Sequence, residues 1–290
     1  MDASKQKSLG AAFLARHTAP QENDPIIVLP NAWDVASALL LARAGFKAIA
    51  TTSAGVGYTG GYPVGEVMPL DEMLSDVKGM ADRIGAEMDV ALSADMESGY
   101  GIAPEQIADT VTRTIAAGAV GINIEDTDHR QPKTLFDFNL AVERIAAARA
   151  AADATGIPFV LNARTDAYWH SGTGDGSGTN VHDDTLRRAE AFKAAGADCI
   201  FVPGPADRDL IARLAADIDA PLNVMGGAKS PPVDVLAEIG VRRVTVGAIM
   251  ARATYHTLEQ AANELRDSGT FGFADGVMSH ADLNGLMKGA

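Results

Sequence analysis

LSADMESGYG, residues 92–101, begins as an apolar strand and ends in a glycine-rich turn. Side chains alternate between the two faces of a strand, so Ser93, Asp95 and Glu97 share one face. Two neighbouring carboxylates repel each other unless positive charge lies between them, and a divalent cation with oxygen ligands is the usual solution. The alternative is a pair of acids on a solvated edge strand. The rest of the chain favours the cation site.

The chain on both sides of this strand repeats a helix–glycine–strand unit. Glycine adopts the left-handed conformation of a helix C-cap at little cost, so a glycine just before an apolar run predicts a helix end. Six glycines fit this description, and their spacing of 33–44 residues is the length of one β–loop–α unit. They are Gly45, Gly85, Gly118, Gly156, Gly196 and Gly240.

Apolar runs predict eight buried strands. Because they alternate with helices, such as those predicted at residues 3–17 and 35–44, they indicate a (β/α)8 TIM barrel. A doubly wound open sheet is the alternative, but the GxGxxG fingerprint that would favour it does not follow the first strand. The strands are predicted near residues 26–30, 48–53, 90–95, 121–125, 159–164, 199–202, 222–225 and 243–246.

Length and composition fit one domain of this kind. The chain has 290 residues, of which 47% are hydrophobic, and its mean hydropathy is +0.03. An α/β barrel of this length commonly forms a single domain, so we expect one domain over residues 1–290. We expect an N-terminal helix within residues 1–20 and a C-terminal tail at residues 269–290 whose apolar side chains dock on a surface.

Charge and cysteine usage exclude several classes of function. The net charge of −14 at pH 7 argues against nucleic acids and anionic membranes as partners. No segment reaches the roughly 18–20 apolar residues of a membrane span, and the N-terminus lacks the apolar core of a signal peptide. We therefore expect a cytoplasmic protein. The single cysteine, Cys199, excludes an internal disulfide and lies in an apolar run typical of a buried core thiol.

Functional residues of a TIM barrel lie at the C-terminal ends of its strands. Alternation places acids, amides, hydroxyls and one arginine on the inward face there. Each has a structural alternative, such as an ion pair between Arg164 and Glu125 or hydrogen-bonded core amides. Burying so much charge unpaired would be costly, which favours a metal and an anionic ligand. The set is Thr51, Ser53, Asp95, Glu97, Asn123, Glu125, Asn162, Arg164 and Asn223.

This set of side chains suits a 2-oxo acid. The carboxylate and carbonyl of such an acid can chelate Mg²⁺ or Mn²⁺, and the metal stabilises the enolate formed when a bond at C3 breaks. Arg164 can grip the carboxylate in a bidentate manner or support the enolate oxygen. Backbone N–H groups of the turn formed by Ser53, Ala54 and Gly55 can also bind the carboxylate, because small residues let it approach closely.

Five ordered motifs resemble the isocitrate lyase / phosphoenolpyruvate mutase superfamily, between residues 10 and 260. They are PNAWD (30–34), TSAG (52–55), DMESGYG (95–101), GINIED (121–126) and NARTD (162–166). The resemblance implies a Mg²⁺-dependent barrel with enolpyruvate-type intermediates. It also implies a homo-oligomer, usually a tetramer built from dimers that exchange a swapped C-terminal helix.

The resemblance assigns roles to the matched residues. Asp95 would contact the metal most directly, while Glu97 and Glu125 would hold its waters. Arg164 would be the substrate arginine, and Ser53 with its turn would bind the carboxylate. From the alternation of the strands, Asn123 and Asn223 are expected as further substrate contacts.

Departures from the superfamily pattern limit the prediction of activity. The isocitrate and methylisocitrate lyases carry a Lys-x-Cys-Gly-His loop whose cysteine donates a proton, whereas residues 126–133 read DTDHRQPK here. The Asn-Ser loop of the mutases is absent too. Many members carry an acid after a Gly-x-Pro sequence; that position is Val64 here, with Glu66 nearby. The half of the site that selects the reaction is therefore unfamiliar.

We predict a Mg²⁺-dependent carbon–carbon lyase or decarboxylase for a small 2-oxo or 2-hydroxy dicarboxylate. A phosphonate carbon–phosphorus mutase or hydrolase and a catalytically silent 2-oxo acid binding protein are the alternatives. In a lyase the enolate needs a proton, and His129, four residues after Glu125, is one candidate donor. His170, within the glycine-rich insert at 166–184, is the competing candidate, and bound water is a third source. The insert itself is predicted to be a lid or a disordered loop.

Overall fold

A ring of parallel strands forms the centre of the computed structural model, which describes residues 1–18, 26–131, 133–171 and 179–288. Pairing runs from β2 through β3 and onward to β9, and β9 pairs with β1. The strands are β1 Ile27–Leu29, β2 Asn31–Ala32, β3 Ala48–Thr51, β4 Ala91–Asp95, β5 Gly121–Glu125, β6 Val160–Arg164, β7 Cys199–Val202, β8 Leu222–Met225 and β9 Arg243–Thr245.

The strands β1 and β2 are two halves of one barrel strand, separated by Pro30. Proline has no N–H to donate, but its carbonyl accepts from the Ala50 N–H at 2.9 Å. On the other side the Asn31 side chain replaces the missing pairing, because its Oδ1 accepts from the N–H groups of Val246 and Gly247 at 2.8 and 2.9 Å. The ring therefore closes, and the predicted TIM barrel with its eight strands is confirmed.

Helices surround this ring and cover the strands with a continuous apolar layer. They are α1 Ala3–Thr18, α2 Val35–Arg43, α3 Ser53–Thr59, α4 Leu70–Met88, α5 Pro104–Ala116, α6 Phe138–Ala154, α7 Ala167–Ser171, α8 Thr179–Ala194, α9 Arg208–Asp217, α10 Val233–Glu238, α11 Ile249–Ser268 and α12 His280–Met287. The helices predicted at residues 3–17 and 35–44 match α1 and α2. No helix of the described ranges is long and apolar enough to cross a membrane.

The helix α1 covers the N-terminal end of the barrel. Its Leu9 and Phe13 pack in a second apolar cluster with small residues of the inner strand faces, including Ala50 and Ala91. A Cβ at Gly121 would lie 2.9 Å from Cε1 of Phe13, so the aromatic ring enters the barrel only because this strand position is glycine. With one end closed in this way, the C-terminal end is where a site can open.

One of the six predicted helix ends is wrong. Gly45, Gly118, Gly156, Gly196 and Gly240 all have positive φ angles, as a C-cap requires. Gly85 instead lies inside α4, which continues to Met88 and ends at Asp89 with φ of 57°. A Cβ at Gly85 would lie 3.0 Å from Sδ of Met1, so close packing against the N-terminus explains this glycine.

Helices occupy parts of the glycine-rich insert and of the tail. The helices α7 and α8 occupy both ends of the insert, and residues 172–178 lie outside the described residues. The last helix, α12, packs on this chain's own α2 with Leu286 buried, and the Met287 carbonyl accepts from Nη2 of Arg83 at 2.8 Å. The long helix α11 is mostly exposed, and Ala251 is its buried residue among the described side chains.

Candidate active site

A cavity of about 550 Å³ opens at the C-terminal ends of the strands. The ends of β4, β5 and β6 contribute its floor, and the start of α11 contributes part of its wall. Most of the predicted site residues line it, namely Ser53, Ala54, Asp95, Glu97, Glu125, His129 and Arg164. The structure therefore brings together side chains that are as far apart in sequence as Ser53 and Arg164.

Asp95, at the end of β4, is fixed by hydrogen bonds from several elements. Its Oδ2 accepts from the N–H of Ser53 at 3.0 Å and from the Ser53 hydroxyl at 2.9 Å. Its Oδ1 accepts from Nδ2 of Asn123 at 2.9 Å, and its own N–H donates to Oγ1 of Thr51 at 2.8 Å. A carboxylate held in this way keeps its orientation without a ligand, which suits a metal contact.

Glu97 lies two residues beyond the end of β4, with its backbone in the left-handed region at φ of 50°, and lines the same cavity as Asp95. Its Oε2 accepts from the N–H groups of Gly65 and Glu66 at 2.7 and 2.9 Å, so the loop between α3 and α4 holds it. Burial, followed by the charge of Glu125, raises the pKa of Glu97 to about 7. Crowding of carboxylates around the cavity is thus unfavourable in the absence of added positive charge.

Glu66, the displaced acid of this loop, does not face the cavity. Its Oε1 accepts from the Ser98 hydroxyl at 2.7 Å and from the Tyr100 N–H at 2.6 Å. The carboxylate therefore ties the loop to the turn after β4. Val64, and not Glu66, lines the cavity wall.

Glu125, at the end of β5, lies between two cationic groups. Its Oε2 is 2.8 Å from Nη1 of Arg164, and its Oε1 is 2.8 Å from Nε2 of His129. Arg164 also donates from Nε and Nη2 to the two oxygens of Asp166, at 2.6 and 3.0 Å. The ion pair considered as a structural alternative is therefore present. These contacts use three of the five N–H donors of Arg164 and leave two for a ligand.

Two histidines line the cavity at different positions. His129 lies 3.6 Å from Oε2 of Glu97 as well as beside Glu125. Burial lowers the pKa of His129, but the hydrogen bond and charge of Glu125 outweigh burial and raise it overall. His170 lies 2.9 Å from Oγ1 of Thr127, and burial lowers the pKa of its imidazole. His129 is thus the one that favours a bound proton.

The predicted amide contacts lie deeper than expected. Asn123 bonds to Asp95 through Nδ2 and accepts at Oδ1 from Nδ2 of Asn162 at 2.9 Å. Asn223 is fully buried, and its Oδ1 accepts from the Thr245 hydroxyl at 3.3 Å. Asn123 precedes Glu125 by two residues on the same face, which places its side chain one layer lower in the barrel. Both amides therefore line the barrel interior beneath the open cavity.

The predicted carboxylate-binding turn is the start of a helix. The strand ends at Thr51 rather than Ser53, and α3 begins at Ser53 with Thr52 as its N-cap. The N–H and hydroxyl of Ser53 are both engaged with Asp95, so this residue orients an acid. A Cβ at Gly55 would lie 2.7 Å from Cγ2 of Thr52 and 2.7 Å from Cβ of Trp33, so glycine is required here by close packing.

Comparison with known proteins identifies the family. Residues 18–266 match the phosphoenolpyruvate phosphomutase family. The chain belongs to this family. An uncharacterised protein of Mycobacterium tuberculosis is 35% identical over 240 residues, covering 83% of this chain and 84% of the relative. The 2-methylisocitrate lyase of Escherichia coli K12 is 31% identical over 275 residues, covering 91% and 86%.

A solved structure supports the same assignment. Oxaloacetate acetylhydrolase in complex with its product oxalate superposes with a TM-score of 0.82 and 27% identity, covering 96% of this chain and 93% of that chain. The phosphomutase family and its lyase relatives belong to the isocitrate lyase / phosphoenolpyruvate mutase superfamily. This chain is therefore an enzyme of that superfamily.

Several cavity residues of this phosphomutase-family enzyme were missed from sequence. Thr127 donates to Oδ2 of Asp166 at 2.5 Å, and Lys133 and Arg252 line the wall. Among the described residues neither cation has an acid partner within ion-pair distance. Asp166 follows Arg164 by two residues in one motif, so strand alternation could have indicated it. Arg252 comes from α11, far along the chain, and nothing in its local sequence marks it.

The cavity offers the oxygen donors that Mg²⁺ prefers. Carboxylates of Asp95, Glu97, Glu125 and Asp166 outnumber the cations Arg164 and His129 that lie among them. No three Asp, Glu, His or Cys side chains of the described residues converge closely enough to ligate one ion together. Mg²⁺ keeps several waters and binds through one or two carboxylates, so an open acidic cavity of this kind fits it.

Proposed function

We propose that this enzyme is a Mg²⁺-dependent carbon–carbon lyase or decarboxylase for a small 2-oxo or 2-hydroxy dicarboxylate, working through an enolpyruvate-type intermediate. One observation carries the proposal: the floor of the cavity combines acids, preorganised around Asp95, with the cation Arg164 at the end of β6. The names of two superfamily relatives, 2-methylisocitrate lyase and oxaloacetate acetylhydrolase, specify a hydroxy tricarboxylate and a 2-oxo dicarboxylate as their substrates.

Asp95 would hold the metal directly, with Glu97 and Glu125 accepting hydrogen bonds from its waters. Mn²⁺ could replace Mg²⁺, since both take oxygen ligands. When bound, the ion would act as a Lewis acid that stabilises negative charge developing on the substrate carbonyl oxygen. The hydrogen bonds of Asp95 to Ser53 and Asn123 fix the position of the first ligand before the metal arrives.

Arg164 would bind the 2-oxo acid. Its guanidinium is held by Glu125 and Asp166, and its two remaining N–H donors can contact the carboxylate or the developing enolate oxygen. Lys133 and Arg252, which also line the cavity, would bind a second carboxylate. Trp169 and Met225 also line the cavity and would reduce access of water to the reacting atoms.

His129 would supply the proton that the enolate needs after the carbon–carbon bond breaks. Its imidazole lies between Glu97 and Glu125, which favours the protonated form. We expect His129→Ala to reduce turnover by roughly 10²-fold, the usual size of a general acid contribution, with substrate affinity unchanged. His170→Ala is the matched control. A loss of less than about threefold for His129→Ala, with a large loss for His170→Ala, would transfer the role to His170.

A substrate panel tests the proposed function. Oxaloacetate, methylisocitrate, dimethylmalate and phosphonopyruvate would each be incubated with the enzyme and Mg²⁺, and release of pyruvate, oxalate, carbon dioxide and phosphate would be measured. Turnover of oxaloacetate, methylisocitrate or dimethylmalate supports the lyase or decarboxylase. Asp95→Ala serves as the inactive control. The proposal would be contradicted if none of these three acids were turned over.

A second candidate function is the cleavage or rearrangement of a carbon–phosphorus bond. The observation that favours it is the presence in the cavity lining of Lys133 and Arg252, which have no acid partner among the described residues. Such cations suit the doubly charged phosphonate group as well as a carboxylate. Phosphate release from phosphonopyruvate in the panel would select this function. Tight binding of 2-oxo acids without any turnover would indicate a catalytically silent binding protein instead.

We also propose that a second copy of this chain covers α11. Apolar side chains are exposed along this helix and the segment after it, including Tyr255, Leu258, Leu265 and Phe271, of which Leu258 is 64% exposed. A patch of this kind on a free helix typically marks an interface. The expected result is a dimer or tetramer in light scattering at micromolar concentration, and a stable monomer would contradict it.

A further inference from the structure

The turn that follows β4, residues 97–102, has a strained backbone beside the proposed metal site. Glu97, Gly99 and Tyr100 have φ angles of 50°, 99° and 57°. Glycine adopts this left-handed region at little cost, but a residue with a side chain stays there only when surrounding groups hold it. Glu97 is itself one of the strained residues, so the groups that hold the turn also determine where the Glu97 carboxylate points.

Arg144, on α6, binds carbonyl groups of this turn. Its Nη1 donates to the carbonyl oxygens of Gly101 and Ile102 at 2.6 and 2.7 Å, and its Nη2 donates to the carbonyl oxygen of Ser98. The side chain is buried, and its Cζ lies 4.1 Å from the centre of the Phe136 ring. Two of the three guanidinium nitrogens of this buried arginine therefore bind one short turn of the chain.

Glu66, from the loop between α3 and α4, binds donor groups of the same turn. Its Oε1 accepts from the Ser98 hydroxyl at 2.7 Å and from the Tyr100 N–H at 2.6 Å. The N–H of Glu66 in turn donates to Oε2 of Glu97 at 2.9 Å. One residue is thus anchored on the turn through its side chain and holds the Glu97 carboxylate through its backbone.

Arg144 and Glu66, here called the clamp, are complementary in charge. The cation binds carbonyl oxygens of the turn, and the anion binds its N–H and O–H groups. Hydrogen bonds to charged groups are stronger than those between neutral groups, so the clamp can hold a strained backbone. Neither residue lines the open cavity. An effect of the clamp on a ligand in the cavity must therefore act through the turn.

We propose that Glu66 and Arg144 are positioning residues for the metal site, because they fix the strained turn and so hold Glu97 where its carboxylate can accept hydrogen bonds from the waters of the metal. This inference rests on the proposed function, in which Glu97 has that role. Removing groups that orient metal-binding side chains commonly lowers metal affinity by about 10- to 100-fold. A clamp that only stabilised the barrel would leave metal affinity unchanged.

Binding of Mn²⁺ to the full-length enzyme without substrate provides the test. The electron paramagnetic resonance signal of the free ion measures affinity independently of turnover. We expect Glu66→Ala and Arg144→Met each to weaken Mn²⁺ binding by about tenfold or more. Glu66→Gln should stay within about threefold of wild type, because its amide oxygen can still accept from Ser98 and Tyr100.

Two control variants separate positioning from general stability. Arg149→Met removes another largely buried arginine of α6, whose acid partners Asp153 and Asp198 lie at 2.7 and 3.2 Å, away from the turn. Glu72→Ala removes an acid of α4 that accepts from the Tyr62 hydroxyl at 3.2 Å. Both controls should keep the Mn²⁺ affinity of wild type, even where Tm falls.

Asp95→Ala, measured in parallel, separates failure of this inference from failure of the proposed function. Normal Mn²⁺ affinity in Glu66→Ala and Arg144→Met beside lost affinity in Asp95→Ala would overturn the clamp alone. Normal affinity in Asp95→Ala as well would overturn both the metal assignment and the clamp. An equal loss in Arg149→Met would show general destabilisation and also overturn the clamp. If Arg144→Met does not fold, the two variants of Glu66 decide.

Discussion

The two ends of the barrel both bury ionisable groups, but with opposite sign and opposite access. At the C-terminal end, the acids Asp95, Glu97 and Glu125 converge on an open cavity. At the N-terminal end, His17 and Phe13 of α1 are buried together with Arg243, the first residue of β9. A ligand can reach the charged groups at the open end, whereas those at the closed end are covered by other protein groups.

This difference separates the groups that serve chemistry from those that serve stability. At the open end, burial and then the charge of neighbouring carboxylates raise the pKa of Glu97 and of Glu125. This costs stability in the absence of a cation, which is a common property of active sites. Side chains at the closed end are covered by α1 and bring no reacting atom within reach. Substitutions at the two ends should therefore affect different measurements.

The largest effect is expected for Asp95→Ala. Loss of the proposed metal contact should abolish Mg²⁺-dependent binding of oxalate and reduce turnover by roughly 10³-fold or more, while the protein still folds, because Asp95 lies at a strand end. Calorimetric titration measures the binding of oxalate, and a steady-state assay measures turnover. Asp198→Ala is the matched control, since this acid precedes β7 at the opposite end of the barrel. Unchanged Mg²⁺ affinity in Asp95→Ala would end the metal assignment.

Phe13→Ala should have the opposite profile. Removing this ring from the closed end should lower the free energy of unfolding by about 3–5 kcal/mol, the usual cost of emptying a phenylalanine site. Urea unfolding monitored by circular dichroism measures this change. The kcat of the remaining folded enzyme should equal that of wild type. A specific loss of kcat without destabilisation would show that the two ends are coupled.

Arg164→Lys should weaken oxalate or pyruvate binding by about 10²-fold, because a lysine cannot keep the planar contacts to Asp166 and still reach a ligand. Arg130→Lys is the control, since Arg130 makes a similar two-nitrogen contact to Asp128 but is 57% exposed. Equal affinity of Arg164→Lys and wild type would make the arginine purely structural.

The smallest effect concerns the pH dependence of stability through His17. Burial lowers the pKa of His17 to about 3 in the folded protein from a model-peptide value of 6.5. The unfolded state therefore binds a proton that the folded state does not, and stability is lost as pH falls from 6.5 towards 3. At pH 5 the loss from this residue should be about 2 kcal/mol.

The variant His17→Leu isolates this contribution. Urea unfolding at pH 7.5 and pH 5 should show a smaller loss for His17→Leu than for wild type, and the difference between the two proteins cancels the other titrating groups. An equal loss in both proteins would show that His17 titrates normally.

Local patterns in the sequence determined the barrel and the identity of its acidic end. Alternation along a strand has a period of two, so Asn123 with Glu125, and Asn162 with Arg164, had to share inward faces. Parallel strands end at the same side of a barrel, which brought these residues together without any knowledge of their contacts. The glycines at five of the six helix ends follow equally local rules of backbone conformation.

Only the tertiary structure decided which of these groups remain available. Ser53 is engaged by Asp95, Asn223 lies a layer below the cavity, Gly85 packs on Met1, and Arg252 arrives from α11. Each of these outcomes depends on contacts between residues more than 25 positions apart, or on depth in the barrel, and neither is encoded in a short window of sequence. A periodic pattern specifies the direction of a side chain, but its partners are set by packing of distant segments.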